Sequence, residues 1–295
     1  MKRHQFSGTG VALITPFKSD KTIDYQSLEK IINHVIENNV DYIVTLGTTG
    51  ETPVLSKSEK SAVARFTVQI VAGRIPIVVG IGNNSTEETV SAIQNFDLRG
   101  IDGILSVVPY YNKPNQEGIY RHYKMVGEAS PLPVISYNVP GRTGVNMTAE
   151  TTLRIAAECP NIVAVKEASG NLVQIMQILK NRPKHFLVLS GDDSLTYPML
   201  ALGADGVISV AAQAVPKTFS DMVHFALDDE LDAACDNHYQ MLDLMEALFA
   251  DGSPAGIKAA LSLLKLCENE LRLPLVPVNK KVFETIKSLL HNYSC

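Results

Sequence analysis

Cysteine is scarce and scattered in this chain of 295 residues: Cys159, Cys235, Cys267 and Cys295 lie far apart and form no CxxC pair. That spacing argues against a structural zinc site or a disulfide framework and suits a reducing cytoplasm. A basic stripe and blocks of like charge are also missing, and the net charge is −5. Neither nucleic acid nor an anionic membrane is therefore an expected partner. No apolar run approaches the roughly 20 residues of a membrane span. The charged start Met1-Lys2-Arg3-His4-Gln5 leads into a stretch broken by Ser7, Gly8, Thr9 and Gly10, which is not a signal-peptide pattern. With 45% hydrophobic and 19% charged residues, the chain suffices for one large domain, or one domain plus an appendage, and small-molecule chemistry fits it best.

Short Val/Ile/Leu-rich runs alternate with longer amphipathic stretches, the pattern of repeated β-then-α units. Strands are predicted at 11–17, 42–47, 76–82, 103–109, 133–139, 162–168, 186–192 and 206–210. Helix-like segments follow them, such as 25–39, 57–71, 86–98 and 116–129, with start signals at Ser56 and Glu59 and at Thr86 before paired acids. Eight such units over about 225 residues predict an α/β fold, a closed (β/α)₈ TIM barrel. An open doubly wound sheet is the alternative, but its usual GxGxxG turn after the first strand is missing. Beyond residue 228 the strands stop, and 229–250, 254–267 and 279–291 read as helices, the last two separated by the Pro-rich segment 271–277. The expected division is a catalytic barrel, 1–228, and a C-terminal helical appendage, 229–295.

In such a barrel the reactive groups sit at the C-terminal ends of the strands. The sixth strand carries Lys166 there, a lone cation in an apolar run. Burial disfavours an ammonium, so a lysine there loses its proton more readily than the free side chain, at roughly 10.4, and becomes a nucleophile toward carbonyls. The plainer reading is a strand-end lysine that reaches solvent. Alternation puts Ile162, Ala164, Lys166 and Ala168 on one face and Val163, Val165 and Glu167 on the other. The fifth strand ends with Tyr137 at a similar height, on a neighbour about 4.8 Å away, where a phenol could relay protons. After the second strand, Gly47-Thr48-Thr49-Gly50-Glu51 offers hydroxyls and backbone N–H groups suited to a carboxylate. After the fifth, Arg142 could clamp a second carboxylate. His4, His34, His122, His185, His224, His238 and His291 all avoid the strand ends, which disfavours a histidine-held metal and a metal-dependent aldolase. Asp192 and Asp193 would repel a phosphate there, although they could equally cap the next helix.

In order along the chain stand GTTGE (47–51), PYYNKP (109–114), YNVPGRTG (137–144), KEASGN (166–171), SGDD (190–193) and GVISV (206–210). Together they resemble the dihydrodipicolinate synthase family of lysine-dependent aldolases, which also includes N-acetylneuraminate lyase. The resemblance spans residue 10 to about residue 277. It implies condensation of pyruvate with L-aspartate 4-semialdehyde to 4-hydroxy-tetrahydrodipicolinate, on the way to diaminopimelate and lysine, with no metal and no organic cofactor. Lys166 matches the imine-forming residue, Thr48 and Thr49 the pair holding the pyruvate carboxylate, and Tyr137 the acid/base of a proton relay that includes Thr48. Arg142 matches the arginine receiving the semialdehyde's carboxylate, and the Ile208 carbonyl lines the same site. Tyr111 matches the residue that completes the relay from a partner subunit. A homo-oligomer is thereby implied, commonly a tetramer of two dimers.

Arg142 separates the chain from neuraminate lyases, which lack an arginine there, and together with GTTGE argues against a 2-keto-3-deoxy sugar-acid lyase. A non-catalytic small-ligand sensor is disfavoured by intact Lys166, Tyr137, Thr48 and Tyr111. Asn84, Glu88 and Tyr110 match a lysine-inhibition site at the dimer interface, but Lys57 and Lys60 stand where the family often carries histidines. Cations beside a cationic effector imply weak feedback inhibition or none.

Overall fold

The apolar runs become eight parallel strands: β1 (Gly8–Ala12), β2 (Tyr42–Thr45), β3 (Ile77–Gly80), β4 (Gly103–Val107), β5 (Val134–Asn138), β6 (Ile162–Glu167), β7 (Leu187–Ser190) and β8 (Gly206–Ser209). They pair in sequence order and close on themselves, β8 against β1, as a (β/α)₈ barrel. The architecture comes from a computed structural model that describes residues 4–293.

Most strands are shorter than predicted, because the last residues of each run belong to the loops. The first is displaced instead: β1 begins at Gly8 and ends at Ala12, not 11–17. Its glycines read as breakers, yet Gly10 pairs with Tyr42 in register. A Cβ at Gly10 would lie 2.2 Å from the Tyr42 ring, so the strand needs glycine there to admit that ring. Tyr42 is fully buried, donates to the Val207 carbonyl at 3.0 Å and packs on Phe6 with ring centroids 5.9 Å apart. Phe6, Tyr42, Val44, Val78 and Ile135 belong to the inner apolar cluster.

A second, larger cluster lies between the strands and the helices around them. Lys57–Val71 and Gln116–Ala129 form as predicted, the former behind a capping box in which Ser56 and Glu59 each accept the other's backbone N–H. Thr86–Asn95 stops short of residue 98, and its cap is Ser85 rather than Thr86. Ser85 Oγ accepts the Glu88 N–H at 3.3 Å, while the Thr86 hydroxyl lies 3.0 Å from His122 Nδ1.

β6 departs from simple alternation. Val134 aligns with Ile162 but Ile135 with Ala164, so one extra residue is inserted opposite β5. Ile162 therefore joins the outer cluster and Val163 packs against the inner one, the reverse of the expected faces. Beyond the insertion Ala164 faces inward and Val165 outward, as expected. The C-terminal helices are Leu231–Phe249, Ala255–Leu263 and Lys280–Leu290. The first reaches over the barrel mouth, where Met245, Glu246 and Phe249 line a cavity.

Candidate active site

That cavity, of about 680 Å³, is lined at the strand ends by Thr48, Thr49, Tyr137, Arg142, Lys166 and Asp192, among others. Lys166 and Tyr137 are register partners on adjacent strands, and Lys166 Nζ lies 4.3 Å from the centre of the Tyr137 ring. Lys166 is only 5% exposed. Burial pulls its pKa down from 10.5 to about 8, with Asp193 opposing and Arg142 adding to the fall. Near pH 7.5 about a quarter of such amines are neutral, against about one in a thousand at the ordinary value. The same burial pushes the Tyr137 phenol up to about 12, so it stays a proton donor at neutral pH.

The lysine stem is fitted from β7. A Cβ at Gly191 would lie 2.9 Å from Lys166 Cε and 2.8 Å from Ala168 Cβ, so this place in SGDD must be glycine. The next two acids divide their work. Asp192 caps the short turn Asp193–Leu195 by accepting the Ser194 N–H at 3.2 Å. Asp193 is buried and accepts the N–H groups of Val210 at 3.2 Å and Ala211 at 2.8 Å, which ties β7 to the end of β8. Burial raises its pKa to about 6 despite those bonds.

Thr48 and Thr49 lie in a 3₁₀ turn, Thr48–Gly50, rather than an open loop; Thr48 is exposed and Thr49 buried. The left-handed residues around the turn are Leu46 (φ 57°) and Glu51 (φ 52°), not its glycines. Arg142 sits in a short helix, Pro140–Thr143, at the mouth, where its Nη2 donates to the Ser253 carbonyl at 3.3 Å. Ile208 lies in the inner cluster, and Val210, two residues on, lines the cavity. Tyr111 is not brought to the site within one chain: it is 87% exposed and lines neither this cavity nor its neighbour. That neighbour, about 470 Å³, shares Thr48, Tyr137 and Arg142 and adds Tyr110 and Lys60. Tyr111 and Lys113 both hold positive φ, 73° and 46°, in a loop whose Asn112 side chain donates to the Asn84 carbonyl at 3.1 Å.

Residues 5–293 match the dihydrodipicolinate synthetase family. The chain belongs to that family. It is 53% identical over 287 residues to a 4-hydroxy-tetrahydrodipicolinate synthase of Parabacteroides distasonis, covering 97% of each chain. The solved dihydrodipicolinate synthase of Thermotoga maritima superposes with a TM-score of 0.96 at 41% identity, covering 98% of this chain and 99% of that one. A structure from Cyanidioschyzon merolae with lysine bound, 42% identical and covering 98% of each chain, gives 0.94.

Two features of this family member escaped the sequence reading. Met245, Glu246, Phe249 and Ser253 complete the cavity from the C-terminal segment, although nothing in their local pattern marks them. Glu167, directly after the lysine, is a fully buried carboxylate on the outer side of β6. It accepts from Asn138 Nδ2 at 3.1 Å, the Ser169 N–H at 2.9 Å and Gln174 Nε2 at 3.3 Å. Asn138 and Glu167 are register partners, as Tyr137 and Lys166 are, so the outward pair braces the strands that carry the inward one. Among the described residues no group of three or more His, Cys, Asp or Glu is placed to hold a metal, and Cys159, Cys235 and Cys267 are free thiols. Cys295 lies outside the described residues. Among the described residues no helix is long and apolar enough to cross a membrane.

Proposed function

We propose that this chain condenses pyruvate with L-aspartate 4-semialdehyde to 4-hydroxy-tetrahydrodipicolinate, through an imine on Lys166. The observation that carries the reading is the buried Lys166–Tyr137 contact at the reactive end of the barrel. The neutral Lys166 amine attacks the ketone of pyruvate, and loss of water leaves a protonated imine. That imine is an electron sink: it acidifies the pyruvate methyl group, and the resulting enamine attacks the aldehyde. The amino group of the condensed product then displaces Lys166 from the imine carbon and closes the ring.

Each step moves a proton locally, and Tyr137 with Thr48 supplies hydroxyls for it without a metal or organic cofactor. Thr48 and Thr49 are assigned to the pyruvate carboxylate, Arg142 to the carboxylate of the semialdehyde, and the Ile208 carbonyl to the wall of the site. Tyr111 is assigned to a partner's relay, which its exposure and its left-handed backbone support. The proposed unit is accordingly at least a dimer, with a tetramer of two dimers as the full assembly, working in the cytoplasm. Borohydride reduction in the presence of pyruvate, followed by peptide mapping, is expected to place the adduct on Lys166. An adduct on another lysine would overturn the site assignment even in an active enzyme.

Feedback by lysine is expected to be weak or absent. Lys60 lines the second cavity beside Tyr110, and its pKa is lowered by partial burial and then by Lys57, so positive charge is already disfavoured there. A steady-state assay with added lysine should show no inhibition at submillimolar concentration; half-inhibition in that range sinks the expectation.

A further inference from the structure

Lys258 is a second buried lysine, fully inaccessible, on the helix Ala255–Leu263. Its Nζ lies 2.5 Å from Glu51 Oε1, donates to the Glu270 carbonyl at 2.8 Å and sits 4.1 Å above the Phe17 ring. The Glu51 side chain is equally inaccessible. Glu51 is the residue that ends the Thr48–Gly50 turn, its own N–H donating to the Thr48 carbonyl at 3.1 Å. Its other oxygen, Oε2, accepts the Arg272 N–H at 3.1 Å. Both carboxylate oxygens are thus held by the C-terminal segment, while the turn's preceding carbonyls, Leu46 and Gly47, are held locally by the Thr52 hydroxyl at 2.7 and 2.8 Å.

We infer that the buried Lys258–Glu51 ion pair fixes the Thr48–Gly50 turn from the C-terminal helices, and that both are positioning residues for pyruvate. The inference rests on the proposed reading of Thr48 and Thr49 as the holders of the pyruvate carboxylate. Stability alone does not account for the pair. Two buried charges lose their hydration, and well-packed apolar residues of similar volume commonly do as well or better. An apolar pair would fill the space but would not specify where the turn ends, whereas a carboxylate gripped by an ammonium and a backbone N–H has one placement. Glu51 also occupies left-handed backbone, where glycine enters more readily. Glycine there would lose the carboxylate that pairs with Lys258. Arg272 extends the grip, donating to the Val54 carbonyl at 3.1 Å and to both oxygens of Glu59 at 3.0 and 2.6 Å.

A covalent two-stage reaction separates positioning from mere folding. The specificity constant for pyruvate reports the steps up to the enamine, and that for the semialdehyde reports those after it. Glu51→Gln and Lys258→Met are each expected to lower kcat/KM for pyruvate by about tenfold or more, and kcat/KM for the semialdehyde by a clearly smaller factor, since Thr48 of the same turn also serves the proton relay in the later steps. A fall of the same factor in both constants would mean only that less enzyme is folded, and overturns the inference; so does no fall in either. Single variants strand a buried charge, so Glu51→Gln/Lys258→Met, which removes both, is measured alongside. It should fold and keep the pyruvate defect, and recovery of the pyruvate constant in it overturns the inference. Thr49→Val tests the underlying reading separately. If it leaves the pyruvate constant unchanged, the carboxylate reading falls and the inference with it. If it lowers that constant and the pair variants do not, the inference alone falls.

Discussion

Lys166→Met should abolish turnover and at the same time make the protein more stable at neutral pH. The loss of activity is expected to be on the order of 10⁴-fold or more, the scale at which removal of a covalent nucleophile leaves only binding and electrostatic effects. No pyruvate adduct should be trapped at that position. The stability gain follows from the lysine's displaced pKa. In the folded chain it titrates at about 8 against 10.5 unperturbed, so between those values the unfolded chain holds more protons and stability rises with pH. Below pH 8 both states are charged, and the native state carries the full cost of a buried ammonium, roughly 3 kcal/mol. Methionine keeps the apolar stem and removes that cost. The variant should therefore be more stable by about 2–3 kcal/mol at pH 7, with the advantage shrinking from pH 8 upward and gone above about 10.5. Thermal unfolding of both proteins at the two ends of that window checks it. A variant less stable at pH 7, or a gain indifferent to pH, would show that Lys166 is not held in a destabilising site.

That combination explains why a charge survives inside the barrel. The small neighbours Ala164 and Ala168 and the glycine at 191 make room for the amine at the buried strand end, and that burial lowers its pKa. A carboxylate in direct contact would remove the destabilisation and also restore the proton. Asp193 is held away from that role by the Val210 and Ala211 N–H groups and acts on Lys166 only through its field.

How much of this was legible beforehand depended on how local each determinant is. The barrel was legible because eight buried parallel strands leave eight Val/Ile/Leu runs, and the inward direction of Lys166 because only the last three residues of β6 matter for it. The faces of Ile162 and Val163 were not, since the inserted residue depends on β5, which lies outside their own stretch. β1 was displaced because its glycines serve Tyr42, a contact across strands. Thr48, Thr49, Tyr137 and Arg142 were legible as motif residues, and the fold gathers them around one cavity. Glu51 appeared only as the end of GTTGE. Its partners in the C-terminal segment include Arg272, 221 residues downstream, and no local pattern connects them.

Tyr137→Phe separates the amine from the phenol as the group that titrates. Phenylalanine keeps the ring on which Lys166 Nζ rests and removes only the hydroxyl, so the fold should be retained. With the proton relay cut, turnover should fall by about 10²–10⁴-fold, the usual contribution of a positioned acid or base. The pH dependence carries the sharper information. The profile of kcat/KM for pyruvate reports groups of the free enzyme. In the parent it should rise to a plateau through a value near 8, because that is where Lys166 loses its proton. Tyr137, pushed up to about 12, stays protonated throughout the range. Tyr137→Phe should therefore keep the limb near 8 and lower only the plateau. If the limb vanishes with the hydroxyl, the titrating group is the tyrosine and the lysine's assigned state is wrong. If the plateau is unchanged, Tyr137 has no part in the relay, and its height beside Lys166 is packing alone.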